Sequence, residues 1–151
     1  MLRSPKRFFS TTIRTTGTQT VTVPNQLLIG GKWVDSTDRK TFDVEDPATG
    51  KVIAQCAAAS KKDIDLAVQA ASDCYHSTWK NVPHFQRAVL MNKFADEILK
   101  HADELVHIEC TDNGKAKEIA AKDVKFASMI LRYNAGSCER LDGVALHSDV
   151  G

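Results

Sequence analysis

The stretch that most constrains this chain runs from Pro83 to Gly114, PHFQRAVLMNKFADEILKHADELVHIECTDNG. Met91, Phe94, Ala95, Ile98, Ala102, Leu105 and Val106 recur at three- and four-residue spacing, which places them on one face of an α-helix. Lys93, Asp96, Glu97, Lys100, Asp103 and Glu104 fall largely on the other face. Pro83 suits a first helical turn, where its missing N–H costs nothing. Asn113-Gly114 is a stop signal, because both residues tolerate the left-handed conformation that ends helices. The spacing therefore predicts one helix of about 30 residues, some 45 Å long, around which the remaining elements must pack.

Before it, Asn25–Val34 reads NQLLIGGKWV, two short apolar runs about Gly30-Gly31, the pattern of a β-hairpin. Thr41-Phe42-Asp43-Val44 alternates like a half-buried strand. Asp46-Pro47-Ala48-Thr49-Gly50 is turn chemistry, and Lys51–Ala57 is a further strand. Ser60-Lys61-Lys62-Asp63 predicts a helix start, with Ser60 as the cap and Asp63 at the positive end of the helix dipole. Ile64, Ala67, Val68 and Ala71 continue that helix to about Tyr75–Trp79. After Gly114, the run through Ile119, Lys122, Asp123, Phe126, Ile130 and Tyr133 predicts a third helix ending near Leu141-Asp142-Gly143. Val144–His147 reads as the beginning of a strand. The fold class expected is α/β: an N-terminal β-hairpin and short strands plus three helices.

Residues 1–20, MLRSPKRFFSTTIRTTGTQT, carry Arg3, Lys6, Arg7 and Arg14, many hydroxyl residues and no acid, the composition of a mitochondrial targeting peptide. On a helix Arg3, Arg7 and Arg14 share one face, with Leu2, Phe9 and Ile13 on another. Arg7-Phe8-Phe9-Ser10 resembles a matrix-processing site. Beyond this leader the net charge of +1 implies no polyanionic partner, and basic residues interleave with acids, which argues against a nucleic-acid groove. No apolar run has the length of a membrane span. The cysteines Cys56, Cys74, Cys110 and Cys138 lie far apart, without zinc or redox-pair spacing, and read as buried reduced thiols. Neither Gly50-Lys51 nor Gly114-Lys115 completes a phosphate loop. No dinucleotide fingerprint is visible, and the five histidines lack metal-ligand spacing. Chemistry alone thus yields an α/β domain without a visible active site.

Four segments in register add a resemblance. Leu28-Ile29-Gly30-Gly31-Lys32-Trp33-Val34 resembles the opening of the NAD(P)-dependent aldehyde dehydrogenases. Thr41-Phe42 with Asp46-Pro47-Ala48-Thr49-Gly50-Lys51-Val52-Ile53 resembles that family's "F-x-x-x-N-P-A-T-G-x-x-I", Asp46 standing in place of Asn. Thr111-Asp112-Asn113-Gly114-Lys115 and Leu131-Arg132-Tyr133-Asn134-Ala135-Gly136 resemble its "D-N-G-K" and "L-R-Y-Y-A-G" segments. The resemblance runs from about Val23 to Gly151 and is nearest to the mitochondrial and cytosolic tetrameric branch.

The resemblance implies oxidation of an aldehyde to a carboxylic acid with NAD as cofactor: a thiolate Cys attacks, hydride leaves the thiohemiacetal, and a Glu-activated water hydrolyses the thioester. In the family the nucleophile, the base and the cofactor site all follow the matching segment. Residues 21–151 are thus expected to be the N-terminal part of an aldehyde dehydrogenase domain, an incomplete part of its cofactor-binding domain. Catalytic and cofactor-binding residues are expected to be absent, and the chain alone to be inactive and to bind no NAD. Gln55-Cys56-Ala57 superficially resembles the nucleophile's context but sits in an early strand. The resemblance further implies a structural monovalent-cation site at Asp112 with backbone near Val44. For Asp112 the residues equally allow a helix-end turn role. Lys122 and Phe126 match positions lining the substrate entrance, Lys122 standing where an apolar residue is usual, and core packing is the plainer role for Phe126. Partners implied are the aldehyde and, for the complete enzyme, a homo-oligomer (tetramer) in the mitochondrial matrix, with no nucleic acid and no membrane. The alternative reading is a non-catalytic interaction module pairing with full-length subunits. A nucleic-acid binder working through the basic leader is a third. With three apolar helix faces to cover, the isolated chain is expected to be aggregation-prone or molten rather than a stable monomer.

Overall fold

The computed structural model describes residues 20–140 and, as backbone, a strand at 10–14. Three antiparallel pairs come first. β1 (Ser10–Arg14) pairs with β2 (Thr20–Pro24), β3 (Leu27–Ile29) with β4 (Lys32–Val34), and β5 (Thr41–Asp46) with β6 (Lys51–Ala57). Helices α1 (Lys61–Ser77), α2 (His84–Lys100), α3 (Ala102–Asn113) and α4 (Lys117–Ser137) follow, with a short 3-10 turn at Trp79–Asn81. The class is α/β as expected. Ser10–Arg14, however, is strand, where the leader reading laid it on an amphipathic helix. The rest of the leader's helical reading and Val144–His147 lie outside the described residues.

The β3–β4 turn is the one its glycines dictate. Gly30 and Gly31 take φ of +57° and +75°, the two positive values that a tight primed turn requires, and Leu28 then pairs with Trp33. The β5–β6 turn is organised by Asp46, which is buried. Its Oδ1 accepts the Ala48 N–H at 2.9 Å, its Oδ2 accepts the Thr49 hydroxyl at 2.8 Å, and its carbonyl accepts the Gly50 N–H at 2.8 Å. A carboxylate thus does here what the family's Asn side chain does as an acceptor. The β5–β6 ladder is bulged between Val44 and Glu45.

α1 begins as expected, with a reciprocal capping box between Ser60 and Asp63. Asp63 does more than cap. It is 2 % exposed, and its carboxylate accepts the Ser60 N–H at 2.8 Å and the Thr37 N–H at 3.0 Å, tying the β4–β5 connection to the helix start. The Ser60 N–H, with the Thr37 N–H behind it, holds the Asp63 carboxyl below its ordinary value. In the same connection the Ser36 hydroxyl, then the Lys40 backbone and ammonium, hold Asp38 at about 2, down from 3.8. Both groups are more acidic in the folded chain, so their contribution is present above the unfolded value and is lost as pH falls through the folded one. The thermal midpoint is expected to fall between about pH 4 and pH 2. In an Asp38→Asn, Asp63→Asn double variant that slope should flatten. An unchanged slope, followed by circular dichroism, would assign the acid loss to other carboxylates.

The long helix expected over Pro83–Gly114 is two helices. His101 lies at φ −101°, ψ 19°, outside helical values. Its N–H turns back to Glu97 and Leu99, and its carbonyl accepts the Leu105 N–H at 3.0 Å, so it closes α2 and opens α3. Its ring sits between Glu97 and Glu104, 3.6 and 3.3 Å away. The break answers two packing demands. α2 buries Ala88 and Ala95 against α4, whereas α3 buries Val106, Cys110 and Thr111, facing both α4 and β5. A straight helix cannot serve both. α4 stops at Ser137, short of the expected end, where the Arg140 guanidinium donates to the Gly136 carbonyl at 3.0 Å.

The helical core is built from small residues. Ala88, Ala95, Ala120, Ser128 and Ala135 are buried, and the Ser128 hydroxyl donates to the Ala95 carbonyl at 3.2 Å, a bond possible only where two helices approach closely. Beside it lies a cluster of Val106, Cys110 and Ala120, with Val124 packed on it. Opposite this face, about half a turn round α4, Ile119, Phe126, Met129, Ile130 and Tyr133 are 44–73 % exposed. α4 is therefore apolar on two sides, and only the small-residue side is covered.

Candidate functional site

The residues expected to hold a cation meet where α3 lies on β5. Val44 is half-buried beside the bulge, and Asp112 is exposed in the last turn of α3. Gly114, at φ +74°, ends α3 in the left-handed conformation, and a Cβ built on it would stand 3.0 Å from Cγ of Pro47. The end of α3 is thus seated on the β5–β6 turn. Lys115 follows directly and bridges Glu109 of α3 (2.6 Å) to Asp123 of α4 (2.8 Å). Those two carboxylates, Asp123 first, raise its already high pKa. Lys115 therefore fixes the α3–α4 corner as a permanent cation. Among the described residues no group of three or more His, Cys, Asp or Glu is arranged to hold a metal.

Cys56, opposite Phe42 on β6, faces the same corner. Burial, and then the Asp112 carboxylate, push its thiol pKa up, the reverse of what a nucleophile needs. Cys110 is buried. The Cys138 thiol lies 3.6 Å from the Met91 sulfur, and Cys74 alone of the four is exposed. With a limiting alkylating reagent near pH 8, Cys74 is expected to react at least several-fold faster than Cys56, read by peptide mass mapping. Equal rates would mean that Cys56 is neither shielded nor held protonated.

Lys122 and Phe126 lie one turn apart on α4, away from that corner, both on its uncovered apolar side. Among the described residues no ion pair is formed by Lys122. A groove of about 530 Å³ opens at the α2–α3 break, lined by Phe94, Ile98, His101, Leu105, Ile108 and Val124. Its two carboxylates, Glu97 and Glu109, are already bound to Lys100 and Lys115. A second, of about 500 Å³, lies between the β3–β4 hairpin and α1, with Asp63 at its wall committed to the cap. Neither brings together a nucleophile, a base and an oxyanion donor set. The sequence signals for the capping box and turns were local. The roles of Asp63 toward Thr37 and of Lys115 toward two helices depend on tertiary placement and carry no sequence signal.

Comparison with known proteins gives one result. The family described as the aldehyde dehydrogenase family matches residues 33–150. Aldehyde dehydrogenase family 2 member C4 of Arabidopsis thaliana is 38% identical over 136 residues, 86% of this chain and 27% of that protein. Family 2 member B4, mitochondrial, of the same plant is 36% identical over 126 residues, 82% of this chain and 23% of that one. The crystal structure of PnpE in complex with nicotinamide adenine dinucleotide superposes with a TM-score of 0.78 at 33% identity, over 84% of this chain and 26% of that one. The chain spans about a quarter of the length of the relatives it matches.

Proposed function

Because the chain belongs to the aldehyde dehydrogenase family, we propose that it serves NAD-dependent oxidation of an aldehyde to a carboxylic acid as the supporting front of that catalytic unit. The observation that carries this reading is the match over residues 33–150, with the four helices and the β3–β6 strands superposing on a relative solved with nicotinamide adenine dinucleotide. On this reading the nucleophilic Cys, the base Glu and the NAD site belong to the three quarters of the relatives that these residues do not match, and the 151 residues alone are inactive. The raised thiol pKa of Cys56 and the absence, among the described residues, of a converged nucleophile and base support that division.

The roles left to these residues are positional. Val44 and Asp112 would hold a structural monovalent cation at the α3–β5 seam. Lys122 and Phe126 would line the substrate entrance. Residues 21–151 would be one domain's front part, preceded by a targeting leader over residues 1–20 that directs it to the mitochondrial matrix. The mitochondrial name of one relative supports that destination. A cut after Phe9 would leave β1 whole, which favours processing at Ser10. The complete enzyme would be a homo-oligomer, a tetramer. The test is to capture the native product from a mitochondrial fraction with an antibody to Pro83–Gly114, measure its intact mass and assay NADH formation with an aldehyde. A species several times the mass of this chain that forms NADH is the expected result. A species of this chain's own mass that forms none would favour the non-catalytic module pairing with full-length subunits.

A further inference from the structure

α4 is the longest helix and the one most at odds with its surroundings. Its inner side is spent on Ala120, Val124, Ser128 and Ala135, while its larger side chains, Ile119, Phe126, Met129, Ile130 and Tyr133, point away from every described element. We propose that in the 151-residue chain this outer face docks on a second copy of itself, with the two α4 helices antiparallel and Phe126 near the two-fold axis.

Three observations on the face commit it to that occupant. The first is area. Five large side chains that each leave about 100 Å² exposed offer roughly 500 Å² per copy, so a symmetric pair covers about 1,000 Å², the threshold of a specific interface. The second is self-complementarity. The stripe is nearly palindromic about Phe126: in an antiparallel pair Ile119 meets the other copy's Tyr133, and Lys122 meets its Ile130. The third is charge. Lys122 stands in the middle of the stripe without an ion pair among the described residues. Parallel helices would set the two ammonium groups face to face. Antiparallel ones place them about 12 Å apart along the axis, beyond the screening length of about 8 Å, and lay each stem toward the Tyr133 ring of the other copy, a cation–π partner. The inference concerns these 151 residues as a chain and draws nothing from the activity proposed above.

The test is sedimentation equilibrium of the full 151-residue chain between about 1 and 100 μM. A reversible monomer–dimer equilibrium is expected. Ile130→Asp, which would bury a carboxylate in the contact, should weaken it about a hundredfold with helix content unchanged by circular dichroism. Direction is read by cross-linking in a Cys74→Ser background. Ile119→Cys mixed with Tyr133→Cys should give a disulfide-linked pair under mild oxidation, whereas Ile119→Cys alone should not. A chain that stays monomeric, one that forms aggregates of no defined size, or one that cross-links through Ile119→Cys alone would each overturn the proposal.

Discussion

Replacing Ala95 with leucine is expected to lower the thermal midpoint by on the order of 5–20 °C and to blur the transition. Ala95 is fully buried, and the Ser128 hydroxyl reaches its carbonyl across the α2–α4 contact. Three added heavy atoms have nowhere to go at that approach. They must push α4 outward, which costs about 1–3 kcal/mol in strain. They must also stretch the Ser128 bond, which contributes about 0.5–1.5 kcal/mol. A domain is stable by only about 5–15 kcal/mol, so the loss is a large fraction of the whole. Lys93→Leu, on the exposed side of the same helix, adds similar bulk where there is room and should shift the midpoint little. Equal effects from the two substitutions, followed by circular dichroism at 222 nm, would mean that α2 and α4 do not touch through their small residues.

The second large effect is expected at Gly114. At φ +74° any side chain is disfavoured by about 1–2 kcal/mol, and the Cβ would also stand 3.0 Å from the Pro47 ring. Asparagine tolerates the left-handed region best, alanine less, and a β-branched residue least. Gly114→Asn, Gly114→Ala and Gly114→Val should therefore destabilise in that order, with the valine variant losing about 2–4 kcal/mol in chemical denaturation. Because α3 is seated on the β5–β6 turn at this point, the valine variant should also expose Cys56 to alkylation. Stability that fell equally for all three would point to the Pro47 contact alone, and stability unchanged for all three would remove the seat altogether.

These two positions mark the boundary of what could be read from residues alone. Gly114 as a helix stop was legible, because its chemistry is local. So were the Gly30-Gly31 turn, the Ser60 cap and the Asp46 turn. The break at His101 was not. Ala88, Ala95 and Val106 keep one helical phase straight through it, and only the competing demands of α4 and β5 reveal why the helix must bend. Asp63 announced itself as a capping residue, yet its hold on Thr37 spans 26 positions and belongs to the fold. The same applies to Lys115, whose two carboxylates come from different helices. Of the candidate site, nothing was visible as chemistry. Val44, Asp112, Lys122 and Phe126 came from resemblance, and the structure shows their settings: the first two at one seam, the other two on a bare helix face.

The three strand pairs each join neighbours in the chain, while the first contact that spans a long loop is α4 on α2, 33 positions apart at Ser128 and Ala95. That arrangement has a timetable. A hairpin closes in about 1–10 μs, and a ribosome adds about 5–20 residues each second. All three hairpins and α1 have seconds to form before the last turn of α4 is made. Until then α2 waits with its alanine groove open, and the protein's most vulnerable moment falls during synthesis, in the interval between the emergence of Ala95 and that of Ser128.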